Sequence, residues 1–343
     1  MNKAHTIETI FFKATRSKKI HEAVLLVENP QNNFSINFGY GSKDIDSPLL
    51  MASVTKLFTT TCILILQEQK KLSLDQKIGV YFDKTILNGL HVYKGEDYSQ
   101  QLTLSDLLFQ TSGLPDWFEK GGIKMRATQM DFSITFEEKL AATKKLRPRF
   151  VPHSSAKAYY SDINFDLLGE IIENVSQMTL AEAYQHFIFK PLGLTKTYLP
   201  TSSNEFIPNI FYKNESLYRP NFIKCSGAHG GGVTTAEELM IFLKAFFNGY
   251  LFQKSVFQKL SLYRKLQMTM GPIYYGGGYM QIPMNGINTL FMGKGELVGH
   301  SGTTGSFAFY YPHKDLYFVG NLNQMANPSL PIRLVMKLAM AIK

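Results

Sequence analysis

Ser53-Val54-Thr55-Lys56 puts a hydroxyl nucleophile and an amine three positions apart. On a helix those positions lie one turn apart on one face, so the amine reaches the hydroxyl. A neutral lysine there can take the serine proton as the oxygen attacks an acyl carbonyl. A helix N-terminus also presents unpaired N–H groups and a partial positive charge, which disfavour an ammonium and stabilise an oxyanion. The segment follows Pro48-Leu49-Leu50-Met51-Ala52 and opens a strongly apolar stretch, the setting such a site needs. The same spacing recurs in Ser154-Ser155-Ala156-Lys157, but in a loop after Pro152-His153. The bland alternative at 53 is a capping serine beside a surface lysine.

Two further segments offer partners. Tyr160-Ser161-Asp162 stands before a predicted helix, where a tyrosine can relay a proton or act as a phenolate-like base if a cation lowers its pKa. Read blandly, it is a core tyrosine followed by an N-capping Asp162. A Ser-Asp-Asn reading of the same stretch fails, because Ile163 holds the third place. Gly299-His300-Ser301-Gly302-Thr303-Thr304-Gly305 reads as a small-residue strand edge along which a substrate can lie. The N–H groups of Thr303 and Ser53 are the expected oxyanion donors. A Gly-x-Ser-x-Gly reading centred on Ser301 misses, because position 303 is Thr.

Taken in order, the three segments resemble the β-lactamase-related serine hydrolases: class C β-lactamases, D-alanyl-D-alanine carboxypeptidases, D-aminopeptidases and related esterases. Their signature is S-x-x-K, then Y-x-N, then K-T-G or H-x-G. Leu107-Leu108-Phe109-Gln110-Thr111-Ser112-Gly113-Leu114-Pro115 and Ala228-His229-Gly230-Gly231-Gly232-Val233-Thr234-Thr235 resemble two linking stretches of the same family, and the likeness runs over roughly residues 20 to 325. The resemblance implies Ser53, Lys56 and Tyr160 as catalytic residues. Asp162, His300, Gly302 and Thr303 become the substrate-binding and oxyanion positions. Asp162 departs from the usual Asn, so an amide donor becomes an acceptor. Gln110 replaces a common His, and His300 and Ser301 replace the Lys and Thr of true β-lactamases. A histidine is mostly uncharged at neutral pH. The expectation is therefore a preference for acyl substrates lacking a carboxylate, with penicillins and cephalosporins poor at pH 7.5 and better near pH 6.

The elements that must position these residues follow from periodicity. Ile7 to Ile20 has helical spacing; Ala23 to Val27 and Phe34 to Phe38 read as strands around the turn Pro30-Gln31-Asn32-Asn33. Helices are expected over 54–70, 104–110, 135–146, 163–174, 180–189 and 236–247, and strands over 274–282, 306–311 and 316–321. A helix over 330–342 closes the chain. This is an α/β chain of α+β type: a β-lactamase/transpeptidase-like antiparallel sheet flanked by terminal helices, plus a mainly helical lobe. The expectation is one domain over 1–343, with a sheet lobe of 1–52 and 271–343 and a helical lobe of 53–270.

The remaining features narrow the class. The 343 residues carry a net charge of +9, with no recognised nucleic-acid motif beside the charge. Two cysteines, Cys62 and Cys225, make no disulfide framework. The N-terminus lacks a signal-peptide pattern and no run reaches the ~18 apolar residues of a membrane span, so a cytoplasmic protein is expected. Eight histidines show no metal-ligand spacing, and the glycine runs lack a phosphate-loop Lys-Ser/Thr, so neither metal nor cofactor is expected. The expected partner is a small acyl or peptide substrate, processed by an esterase or D-amino-acid peptidase. The alternatives are a β-lactamase, a D,D-carboxypeptidase, or a non-catalytic penicillin-binding or scaffold protein.

Overall fold

The structure is a computed structural model that describes residues 3–154, 156–266, 272–286, 289 and 293–342. Residues 1–2, 271, 287–288, 290–292 and 343 of the expected sheet lobe, residues 267–270 of the expected helical lobe, and Ser155 of the second serine–lysine spacing lie outside the described residues.

Helix α1 (Lys3–Thr15) buries Ile7 and Phe11. It starts and stops earlier than its apolar spacing predicts, because the chain turns at Ser17, whose carbonyl accepts from Ile20 N–H. Strands β1 (Ala23–Asn29) and β2 (Phe34–Tyr40) form the expected hairpin, paired from Ala23↔Tyr40 to Asn29↔Phe34. Strand β2 lies at the sheet edge, with Phe34, Ile36, Phe38 and Tyr40 turned to the core.

The helical elements follow. They include α2 (Thr55–Glu68), α3 (Leu104–Leu108), α4 (Ile123–Gln129) and α5 (Phe136–Lys144). Strand β3 (Lys157–Ala158) precedes α6 (Asp162–Ser176), α7 (Pro220–Gly230) and α8 (Ala236–Asn248). Helix α2 is buried along almost its whole length, Cys62 included, as its apolar run requires.

The chain then lays down β4 (Arg264–Leu266), β5 (Tyr274–Tyr275), β6 (Met280–Pro283), β7 (Glu296–Ser301), β8 (Ser306–Tyr311) and β9 (Leu316–Asn321). Helix α9 (Leu330–Ala341) ends it. The nine-stranded sheet runs β2-β1-β9-β8-β7-β6-β5-β4-β3, antiparallel except for the β4–β3 pair. The terminal helices α1 and α9 pack together on one side of it, while α8 packs against β1, β8 and β9. The antiparallel sheet flanked by terminal helices is thus present. Its far edge, β3 and β4, comes from the stretch expected to be helical.

One predicted strand is two. Residues 274–282 fold as the hairpin β5–β6, pairing Tyr275 with Met280. The turn needs Gly278, at φ +88°, where a Cβ would sit 2.0 Å from Thr60 Oγ1 of α2. Helix α7, kinked at Gly227 with φ 39°, is not among the expected helices.

Candidate active site

A short 3₁₀ turn, Ala52–Val54, leads into α2 and carries Ser53. Ala52 has a left-handed φ of 45°, a conformation uncommon for a residue with a Cβ. Gly302 is pressed against this turn: a Cβ there would lie 2.5 Å from Met51 O and 2.9 Å from Ala52 Cβ. Ser306 Oγ donates to Met51 O at 2.5 Å and Thr304 Oγ1 to Leu50 O at 3.2 Å. The end of β7 and the turn after it are therefore stitched to the segment that presents Ser53.

Lys56 lies in the first turn of α2 and is fully buried. Its Nζ stands 3.2 Å from Ser53 Oγ, 2.6 Å from His229 O and 2.7 Å from Asp162 Oδ1. Two hydrogen-bond acceptors and one ion-pair partner around one nitrogen fix its position. The rings of Tyr160 and Phe165, 5.0 and 5.4 Å away, complete its shell.

Tyr160 is placed by Gln110. The Gln110 carbonyl accepts from Tyr159 N–H at 2.9 Å, and its side-chain Oε1 accepts from Ser161 N–H at 2.9 Å and Asn164 Nδ2 at 2.5 Å. Ser112 Oγ donates to Asn164 Oδ1 at 2.7 Å. Burial, then the Asp162 carboxylate, push the Tyr160 phenol well above its usual value, and the Ser53 hydroxyl only partly offsets them. A resident phenolate is therefore disfavoured, and the ring offers a neutral hydroxyl.

Asp162 begins α6. Its N–H donates to Asp116 Oδ1 at 3.2 Å. Asp116 also accepts from Phe118 N–H and Glu119 N–H, each at 3.3 Å, capping the next short helix. Burial and the neighbouring Asp162 carboxylate raise its carboxyl to about 8. One turn along α6, Asp166 Oδ1 takes Lys139 Nζ at 2.7 Å and His229 Nδ1 at 2.8 Å, while Oδ2 takes Trp117 Nε1 at 3.0 Å. Burial works against this carboxylate, yet His229 and Lys139 hold it well below the usual range. Asp166 thereby fixes the residue whose carbonyl holds Lys56. Sequence reasoning missed Asp116, Asp166 and Lys139. The signal for Asp166 was a carboxylate four positions after Asp162 on one helix face.

His300 is fully buried and turned away from the cleft. Its Nδ1 is 2.8 Å from Ser301 O and its Nε2 3.3 Å from Tyr275 OH. Burial, then the charge of Lys56, lower its pKa to about 3. The expected gain near pH 6 through a charged His300 is corrected accordingly: the imidazole stays neutral there and does not face a ligand. Ser301 does line the cleft, because successive side chains along a strand face opposite ways, and Gly302 and Thr303 line it from the turn that follows β7.

The cleft is about 500 Å³ and is lined by Ser53, Tyr160, Asp162, Ser301, Gly302 and Thr303, among others. A smaller cavity of about 60 Å³ opens beside Ser53, Asp162 and Thr303. A separate cavity of about 350 Å³, lined by Lys139, Glu170 and Glu173, lies behind α6 and does not include Ser53. Among the described residues no cluster of three His, Cys, Asp or Glu could hold a metal, and no helix is long and apolar enough to cross a membrane.

The beta-lactamase family model matches residues 23–336, which include every residue of this site. The chain belongs to the beta-lactamase family. Protein flp of Staphylococcus aureus (strain N315) is 26% identical over 332 residues, 90% of this chain and 61% of that protein, so this family member spans about three fifths of that relative. Monacolin J acid methylbutanoyltransferase of Aspergillus terreus (strain NIH 2624 / FGSC A1156) is 27% identical over 211 residues, 55% of this chain and 50% of that protein. The D-amino acid amidase of Ochrobactrum anthropi SV3, complexed with L-phenylalanine amide, shares the fold. Its TM-score is 0.79 at 19% identity, covering 100% of this chain and 99% of the other.

Proposed function

We propose that this protein is a serine hydrolase that cleaves an acyl ester or amide through an acyl-enzyme on Ser53. The observation that carries the reading is the buried Lys56 Nζ, 3.2 Å from Ser53 Oγ and in contact with Asp162. When Lys56 passes one proton to the Asp162 carboxylate, an amine remains. That amine accepts the Ser53 proton as Oγ bonds to the acyl carbon. The N–H groups of Ser53 and Thr303 hold the oxyanion. Tyr160 gives its proton to the leaving alkoxide or amine as that bond breaks, and regains one from Lys56. Water then adds to the acyl-enzyme, its proton returning through the same groups, and the acid leaves.

Relatives named for amide cleavage and for acyl transfer fit a shared acyl-enzyme step with different acceptors. The β7 position that carries a cation in true β-lactamases does not supply one, because His300 is neutral and faces the core; the cations that line the cleft, Lys120, Lys124 and Arg149, lie on other segments. This favours simple esters and amides over penicillins and cephalosporins. The proposal is tested with a chromogenic ester. Wild type is expected to hydrolyse it and Ser53→Ala to lose at least about 10³-fold in kcat. A folded wild type that turns over neither an ester nor a D-peptide would instead favour a binding role.

A further inference from the structure

We propose that Asp116 is a specificity-determining residue that donates a hydrogen bond to a neutral carbonyl oxygen on the leaving half of the substrate. This rests on the hydrolase reading and names the substrate class within it.

The cleft wall at Asp162 offers an acceptor where the usual residue is Asn, an amide donor. The Asp162 carboxylate is taken up with Lys56 Nζ, 2.7 Å away. Asp116 stands beside it on the same wall: its Oδ1 accepts from the Asp162 N–H at 3.2 Å, and both residues line the open cleft. Tyr160, which protonates the leaving group, lines the open cleft and not the small cavity beside Ser53, and Asp116 does the same. Asp116 therefore faces the leaving half of a bound substrate.

A carboxyl group donates only while it holds a proton. Asp116 is buried, and the bonds it accepts come from backbone N–H groups: two on Oδ1, from Asp162 and Phe118, and one on Oδ2, from Glu119. Oδ1 is thereby filled, and the proton resides on Oδ2. The three N–H groups favour the carboxylate, but at 3.2, 3.3 and 3.3 Å their bonds are long. Burial outweighs them and the Asp162 charge adds to it, so the carboxyl rises to about 8 and is protonated at neutral pH.

The charged groups around Asp116 are engaged elsewhere or exposed. On α6, Asp162 is paired with Lys56, and Asp166, one turn on, with Lys139 and His229. Glu119, in the short helix Trp117–Lys120, pairs with Lys124 of α4 at 2.6 Å. Lys120 and Arg149 line the cleft but are exposed, and Arg149 Nη2 donates to Tyr159 OH at 3.2 Å. Tyr160 is a neutral phenol. A ketone or amide oxygen matches the Asp116 O–H. An ionised Asp116 has no proton to give and repels that oxygen, so the preference for such substrates falls as the pH rises through about 8.

The test is the release of butanoic acid from three esters of one shape: 2-acetamidoethyl, 4-oxopentyl and 4-methylpentyl butanoate. The first two carry a carbonyl oxygen where the third carries a methyl branch. Ratios of kcat/KM to the hydrocarbon ester cancel the pH dependence of Lys56 and Tyr160, which act on all three. Wild type is expected to favour both carbonyl esters by about fivefold near pH 6.5 and to lose that preference by about pH 9.5. Asp116→Asn keeps a donor and the helix cap at every pH, so its preference should stay flat. Asp116→Ala should show no preference at either pH. Circular dichroism checks that each variant is folded, and the wild-type series decides even if one is not. A wild-type ratio near one, or one that does not change with pH, overturns the proposal, and so does a fall that persists in folded Asp116→Asn. Turnover of none of the three esters overturns the hydrolase reading instead, and this proposal with it.

Discussion

Asp162 Oδ1 sits 2.7 Å from Lys56 Nζ inside the protein, so the lysine that faces the nucleophile also touches a carboxylate able to take its proton. An Asn in that place keeps the shape and a hydrogen-bond acceptor but cannot take up a proton. Two accounts then predict opposite shifts. If Asp162 only attracts charge, its removal eases deprotonation of Lys56, and the acid limb of kcat/KM against pH moves down. If Asp162 receives the proton, Asp162→Asn must release it to solvent, so the acid limb moves up and kcat near pH 7 falls about tenfold or more. The second result is expected. An unchanged or downward-shifted limb contradicts it.

Lys56→Ala and Tyr160→Phe each remove a proton carrier used in the transition state. Each should lower kcat by about 10² or more, with a smaller effect on KM. Steady-state kinetics on a neutral ester reads this directly. A Lys56→Ala variant with near-normal turnover rules out its base role.

The Asp166 hub predicts a stability effect. Asp166→Ala leaves Lys139 and His229 buried without their carboxylate, which costs about 3–5 kcal/mol. Urea unfolding measures it. A loss under 1 kcal/mol would show that the cluster reorganises without cost.

His300 gives a pH-dependent term. Its folded value of about 3 lies below the ordinary ~6.5, so between these values the unfolded chain binds the extra proton. The contribution is complete above pH 6.5 and is lost as the pH falls toward 3, at up to about 1.4 kcal/mol per pH unit. His300→Gln should flatten the stability curve over pH 4–6. Cephalosporin turnover should be as poor at pH 6 as at pH 7.5, because His300 gains no charge across that range.

Much of this site was legible in the chain. The spacing of Ser53 and Lys56 brings them together, although Ser53 sits in the 3₁₀ turn just before α2, and Tyr160 follows from its place before α6. The hairpin β1–β2 and the terminal helices show their apolar periods openly. What stayed hidden depends on contacts between distant segments. The direction of His300 is decided by Tyr275, 25 positions away, and by the alternation of β7. The pairing of Asp166 with His229 spans 63 positions, and neither residue carries a local pattern that announces it. The split of 274–282 into two strands depends on the close passage of Gly278 over Thr60. The role of Gln110 comes from its bonds to the Tyr159–Ser161 segment and to Asn164, which its identity as a replaced histidine did not reveal.

Ser53 is the proposed nucleophile, and covalent labelling tests its role most directly. The intact protein is treated with a fluorophosphonate and its mass and modified peptide are read by mass spectrometry. One adduct is expected, on Ser53, lost in Ser53→Ala and slowed by Lys56→Ala. Labelling that persists in Ser53→Ala, or that maps to Ser154 or Ser301, would contradict the assignment.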